Sequence, residues 1–159
     1  MGLDLFKPYL SNDFNVKEKS FIDKRTNIKY SSVNLATLSL PCFNYYRNIF
    51  YNSDNLKIIP SNIQNLLSPR GLAYWIMDDG YFDSYGRTKT VLLCTESFTK
   101  DECIILQSLL EKLDIKSTLK VRDKIHNRYR IRISKTSMDR VISLVKPYIH
   151  KDFLYKLGI

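Results

Sequence analysis

Two adjacent carboxylates, Asp78 and Asp79, close the run Leu72-Ala73-Tyr74-Trp75-Ile76-Met77-Asp78-Asp79-Gly80. Hard oxygen donors gathered at one point suit Mg²⁺. The run before the acids is compatible with a helix. Ser68 reads as its N-cap, Pro69 as its first residue and Gly80 as its stop in a left-handed turn. Both acids then fall at the negative end of the helix dipole, where an anion costs from a few tenths to about 1 kcal/mol. A bound cation reverses that sign. A bare Asp-Asp-Gly is more often ordinary turn chemistry.

The second concentration of chemistry lies between positions 116 and 134. Strand alternation puts Lys116, Thr118, Lys120 and Arg122 on one face, and Arg128, Arg130 and Arg132 on one face of the neighbouring strand. Leu119, Val121, Tyr129, Ile131 and Ile133 take the opposite faces. A solvated sheet face normally mixes signs, so this bias selects a polyanion, and arginine can also read guanine edges. Lys29 and Lys89 extend the candidate nucleic-acid-binding set. His126 and His150 read as surface or capping residues, and Tyr45, Tyr46, Tyr74, Trp75 and Met77 as packing residues.

These residues need a frame, and the pattern supplies one from Ser68 onward. After the acid-bearing helix come strands near Tyr81 to Ser84 and Thr88 to Ser97, turning at Tyr85-Gly86-Arg87. A helix over Asp101 to Leu113 shows an apolar stripe at Ile104, Ile105, Leu109, Leu110 and Leu113, with Thr99 and Glu102 spaced as a capping box. Strands at Lys116 to Arg122 and Arg128 to Ser134 follow, then a helix over Ser137 to Ile149 facing inward with Met138, Val141, Ile142 and Val145. The order αββαββα makes one complete unit over 68–159.

Residues 1–52 carry only the back end of such a unit. A hairpin of Lys17 to Asp23 and Ile28 to Leu38 turns around Arg25-Thr26-Asn27, and a helix over Phe43 to Tyr51 carries Phe43, Tyr46, Ile49 and Phe50. A shift of 99 positions pairs Tyr30 with Tyr129, Thr37 with Thr136 and Lys57 with Lys156, so 1–52 reads as a partial first repeat and 53–67 as a linker.

Bulk properties fit a nucleic-acid binder. The formal net charge is +9 and the sequence pI about 9.4, which calls for a polyanionic partner. No stretch has the apolar length of a membrane span. Cys42, Cys94 and Cys103 lack paired metal spacing and read as reduced, mostly buried thiols. The first residues, Asp4 among them, read as neither signal nor transit peptide. Alanine occurs only at Ala36 and Ala73 while Asn, Ile, Lys and Tyr abound, a bias toward A/T-rich codons that points to synthesis in an organelle, the mitochondrion first.

The nonapeptide resembles the signature of the LAGLIDADG homing endonucleases in the form LAYWxMDDG. The resemblance continues through Thr37 to Arg47, Lys57 to Asn62, Leu66 to Arg70, Val91 to Ser97, Lys146-Pro147-Tyr148 and Tyr155-Lys156-Leu157, as in the family's organellar branch. It implies an α+β fold with antiparallel, saddle-shaped sheets over a DNA duplex, and makes Asp79 the catalytic, Mg²⁺-binding acid. Lys57 and Lys156 would be basic residues beside the reaction centre. Members with two signatures pair two such helices, each giving one acid. This chain carries one signature run, so a homodimer, a complementing fragment or a ribonucleoprotein would cover its helix, and Leu72, Ala73, Ile76 and Met77 are expected to form the pairing surface. Cutting of double-stranded DNA would then depend on that partner. The alternative is a cleavage-inactive descendant that binds structured RNA, as a maturase or as a component of an organellar ribonucleoprotein.

Overall fold

The computed structural model describes residues 7–10, 17–34, 36–85 and 88–159. The chain divides into two units, Met1–Arg47 and Asn48–Ile159. In the first, strands β1 (Lys17–Asp23) and β2 (Ile28–Asn34) pair antiparallel from Lys17 opposite Asn34 to Asp23 opposite Ile28. Helix α1 (Cys42–Phe50) follows. Tyr45 and Tyr46, expected to serve as core or rim packing residues, are exposed and meet each other edge-on. Cys42 is likewise exposed, whereas Cys103 is buried and Cys94 half-buried; all three are free thiols.

The second unit begins its regular structure with helix α2 (Pro69–Asp79), whose N-terminus forms as its residues dictate. The Ser68 hydroxyl accepts the Gly71 amide at 3.1 Å and proline occupies the first turn. Strand β3 (Gly80–Asp83) leaves the helix with no intervening loop, and β4 (Thr90–Cys94) returns beside it. Gly86 and Arg87 of the expected turn lie outside the described residues. Helix α3 (Lys100–Lys112) leads to β5 (Ser117–Asp123), β6 (Arg128–Ile133) and α4 (Met138–Val145), then to short 3₁₀ turns at Lys146–Tyr148 and Lys151–Leu157. The order αββαββα is thus present, and the sheet runs β3-β4-β6-β5, antiparallel throughout.

One face of this sheet carries the core. Val91, Leu93, Ile131 and Ile133 meet Leu72, Ala73 and Ile76 of α2, Leu106, Leu109 and Leu110 of α3, and Met138, Val141 and Val145 of α4. Ile142, expected in this set, is half-buried and packs against its edge. The buried side of α3 runs through Cys103, Leu106, Leu109 and Leu110 rather than the expected Ile104 and Ile105, which are 47% and 44% exposed. Cys103 turns the helix this way: its thiol lies 3.8 Å from the Thr95 carbonyl, so the apolar stripe is centred one position earlier. The segment before α2 also lies on this core through Ile59, Ile63 and Leu67.

The two hairpins turn alike. Asp23 Oδ1 accepts the Arg25 amide at 2.8 Å, and Asp123 Oδ1 accepts the Ile125 amide at 2.9 Å. Asn27 and Asn127 end the two loops with φ of 56° and 50°, a conformation asparagine tolerates. The loops therefore match at a shift of 100, whereas Tyr30 matches Tyr129 at 99. Strand β5 bulges between Val121 and Asp123, leaving Arg122 as the extra residue.

Glu102 joins three parts of the unit. Its Oε2 takes the Thr99 amide at 2.8 Å, completing the capping box, and its Oε1 takes the Ile59 amide at 3.0 Å. Partial burial opposes the carboxylate form, but the amides of Thr99 and Ile59 and the Thr99 hydroxyl outweigh it and hold the pKa below the usual value. Glu102→Ala should cost about 1–2 kcal/mol in chemical denaturation at neutral pH, as the loss of a cap and its bonds. Because the folded pKa is the lower one, this contribution is full above the unfolded-state pKa. The gap between wild type and variant should close as pH falls through the folded value.

Candidate nucleic-acid interface and acid site

Helix α2 delivers Asp79 to the point where helix and sheet meet. The direct passage into β3 depends on Gly80, though not in the manner expected: its φ and ψ are −90° and 154°, extended and not left-handed. A side chain is excluded by space, since a Cβ would sit 2.6 Å from the Ile76 carbonyl oxygen and 2.8 Å from its Cα. Asp79 is exposed, and among the described residues its carboxylate has no hydrogen-bond or ion-pair partner. Asp78, beside it, is exposed on the helix surface.

Lys156 resolves the electrostatics of this helix end. Its Nζ donates to the Met77 carbonyl at 2.5 Å and to the Asp78 carbonyl at 3.2 Å. The lysine supplies the positive charge that a helix C-terminus favours and that two acids deny it. Its own position is fixed by the neighbours that follow: Leu157 is buried in the core, and Gly158, at φ 75°, passes so close to the Phe82 ring that a Cβ would fall 2.4 Å from it. Lys57 is placed differently. It is exposed, bridges Tyr51 in an isolated strand contact and lies 5.7 Å from the centre of the Phe98 ring. Among the described residues no bond or ring contact joins Lys57 to Asp79 or Lys156.

The sheet face opposite the core carries the cations. Arg132 stands beside Leu92 and Thr118, and Arg130 beside Cys94 and Lys120. Leu92 is fully buried yet belongs to no part of the main core, with Tyr81 and Arg132 as its cross-strand neighbours. Lys120, Arg122 and Arg128 are exposed, with Arg122 at the bulge, where simple alternation ends and Val121 also becomes exposed. Lys116, just before β5, and Lys89, just before β4, are exposed as well; Lys29 is exposed on β2 of the other unit. Arg132 donates to the Thr88 carbonyl at 3.3 Å. Arg130 is held most firmly: Glu96 accepts its Nε and forms an ion pair with its Nη2, and the Tyr81 hydroxyl accepts its Nη1 at 2.9 Å. Burial pulls down the Arg130 pKa, but Glu96 and Tyr81 more than offset it and raise the value. Glu96 and Tyr81 carried no sequence signal, because only the register brings them to Arg130.

Cys94 lies on the open face opposite Arg130. Burial raises its thiol pKa first of all; Arg130 and Lys156 pull it down, while Glu96 and Asp79 push it up. His126, in the β5–β6 loop, bonds Asp123 at 2.7 Å, and His150 caps the following 3₁₀ turn by accepting the Asp152 amide at 3.4 Å. Neither joins the acid site.

The expected pairing surface of α2 needs correction. Leu72, Ala73 and Ile76 are fully buried in the chain's own core, because α2 uses them to seat on α4 and the sheet. Met77 is half-buried, with its sulfur accepting the His150 amide at 3.4 Å. The outward stripe is Arg70, Tyr74 and Asp78, spaced i, i+4, i+8, with Tyr74 40% exposed.

An acid at a helix end, set against an antiparallel sheet with cations on its open face, defines a frame for work on nucleic acid. The chain belongs to the LAGLIDADG DNA endonuclease family, whose family model matches residues 3–141. Intron-encoded endonuclease ai4 of Dictyostelium discoideum is 36% identical over 124 residues, which cover 77% of this chain and 75% of that one. DNA endonuclease I-ChuI of Chlamydomonas applanata is 28% identical over 163 residues, covering 98% and 75%. Cytochrome b mRNA maturase bI2 of Saccharomyces cerevisiae is 32% identical over 135 residues, covering 84% of this chain and 31% of that one. Among solved structures, the homing endonuclease I-WcaI bound to its DNA recognition sequence matches with TM-score 0.82 and 26% identity, over 98% of this chain and 68% of that one.

Two substitutions probe the helix end. Gly80→Ala should destabilise the unit by about 1–3 kcal/mol, because backbone must move to admit the methyl group. Lys156→Met should cost about 1 kcal/mol through loss of the helix-end cation. Urea denaturation of each variant measures both, and an unchanged midpoint for Lys156→Met would mean its carbonyl bonds contribute nothing in solution.

Proposed function

We propose that this protein is a DNA-binding homing endonuclease chain whose single signature helix supplies one of two acids needed for cutting. The observation that carries this reading is the placement of Asp79: exposed, without a partner for its carboxylate among the described residues, at the junction of α2 and β3, on the helix end whose Met77 and Asp78 carbonyls Lys156 bonds. Among the described residues no three ligand-type side chains converge to form a closed metal site. One carboxylate nevertheless suits Mg²⁺, which commonly keeps several waters and takes one or two carboxylates together with substrate phosphate oxygens. When bound, Mg²⁺ supplies Lewis acidity and a more acidic water.

The chain's own residues do the remainder. Asp79 offers the hard oxygen and the negative charge. Lys156 neutralises the helix end and offsets the cost of a carboxylate there. Lys120, Arg122 and Arg128 hold phosphates of the duplex and set its register on the sheet. Lys57 contributes charge from the rim. A second signature helix, from a second copy or a complementing chain, would supply the opposing acid and meet α2 along Arg70, Tyr74 and Asp78. The like turns at Asp23–Asn27 and Asp123–Asn127 support reading the first unit as part of an earlier repeat of the second. Organellar, mitochondrial synthesis is supported by the composition and by relatives named as intron-encoded endonucleases and as a cytochrome b mRNA maturase.

The maturase relative also favours a second reading, in which the same cationic face holds a folded RNA and no strand is cut. A cleavage selection on a randomised duplex library with Mg²⁺, run with and without a complementing chain that carries a second signature helix, and a binding competition between duplex DNA and folded RNA separate the two. The endonuclease reading expects cutting by wild type, by itself as a homodimer or once the complementing chain is added, and none by Asp79→Asn, with binding retained by the variant. Equal cutting by both would refute the role of Asp79, and binding that prefers folded RNA with no cutting would favour the maturase reading.

A further inference from the structure

One cation of the open sheet face is not free to follow a phosphate. Arg130 lies in the middle of that face, between Cys94 on β4 and Lys120 on β5, and its side chain is only 21% exposed. One oxygen of Glu96 accepts Nε and pairs with Nη2, and the Tyr81 hydroxyl accepts Nη1 at 2.9 Å while its ring centre lies 5.4 Å from the guanidinium carbon. An arginine has five N–H donors in one rigid plane. The hydrogen bonds use the Nε donor and one donor of Nη1, and the ion pair holds Nη2 against Glu96, so each terminal nitrogen keeps a donor for the O6 and N7 acceptors of a guanine edge.

The surroundings divide the work. Arg130 and Glu96 open onto a recess of about 690 Å³ also lined by Arg122, Lys124, Ile125 and Arg128. Arg122, Lys124 and Arg128 are exposed and form no ion pair among the described residues, so each contributes a full charge to phosphate attraction. The fixed Glu96 carboxylate cancels most of the field of Arg130. Asp123, the other acid of the recess, is already committed to the Ile125 and His126 amides and to the His126 ring.

We infer that Glu96 is a positioning residue for specificity: it clamps Arg130 so that this cation reads a base edge in the DNA major groove instead of gripping a phosphate. The clamp fixes the orientation of the fork before DNA arrives, which removes the entropy cost of ordering a long side chain at the moment of recognition. It also denies Arg130 to phosphates of arbitrary sequence, so non-specific binding falls. This inference rests on the DNA-binding reading above.

The test is selection from a randomised DNA duplex library at several salt concentrations, using wild type, Glu96→Gln and Arg130→Lys, with thermal melting of each protein. Wild type should enrich a site with guanine favoured at one position. Glu96→Gln should flatten that position by about tenfold and leave the others, with the salt slope steeper by about one as Arg130 turns to a phosphate. Arg130→Lys, which keeps the charge paired with Glu96 but loses the fork, should flatten the same position with the slope unchanged. A uniform loss of affinity in step with a lower melting temperature would mark the cluster as merely structural and overturn the inference. So would identical profiles from all three proteins, or a wild type that binds duplexes with no preference at any position. If wild type binds no duplex at all, the DNA-binding reading itself fails and takes this inference with it.

Discussion

The junction between α2 and β3 is the constraint on which the site depends. A helix normally leaves its last carbonyls to a loop or to water. Here the chain passes at Gly80 straight into a sheet strand, so the helix end is fixed by the sheet's hydrogen bonds on one side and by the core contacts of Leu72, Ala73 and Ile76 on the other. That rigidity places Asp79 without a hinge. It also concentrates unfavourable charge, because two carboxylates and the free helix carbonyls meet at one point. Lys156 answers this through direct bonds to two of those carbonyls, and it reaches them because Leu157 and Gly158 are packed tightly behind it.

The sheet then separates two kinds of surface across one layer. Val91, Leu93, Ile131 and Ile133 point into the core, while Arg130, Arg132, Thr118 and Lys120 occupy the other side. Period-two alternation alone produces this division. Within the open face the cations are unequal. Arg130 and Arg132 are tied to Glu96, Tyr81 and the Thr88 carbonyl, whereas Lys120, Arg122 and Arg128 stand in solvent. Counting charges along the strands overstates how many are available to a polyanion.

Much of this was legible in order and little of it in orientation. Ser68, Pro69, Thr99 and Glu102 announce helix starts through local bonds that need no distant partner, and the structure contains those bonds. The alternation of Arg128, Arg130 and Arg132 with Tyr129, Ile131 and Ile133 is likewise local. The inward face of α3 was displaced because Cys103 fits beneath Thr95, a contact eight residues away that no periodicity contains. Arg122 was misaligned by a bulge whose existence depends on how β5 and β6 pair.

The sequence by itself determined the family, the element order and the acid to watch, since the nonapeptide, the caps and the apolar periods are written in consecutive residues. Tertiary structure alone decided which side of α2 is free. Leu72, Ala73 and Ile76 look equally suited to a partner helix or to a core, and the choice is made by what α4 and the sheet leave uncovered. It likewise decided that Lys156 binds the helix end and that Glu96 and Tyr81 hold Arg130. Those pairs are separated by tens of residues, and their charges meet only when packing brings the strands and the C-terminal turn together.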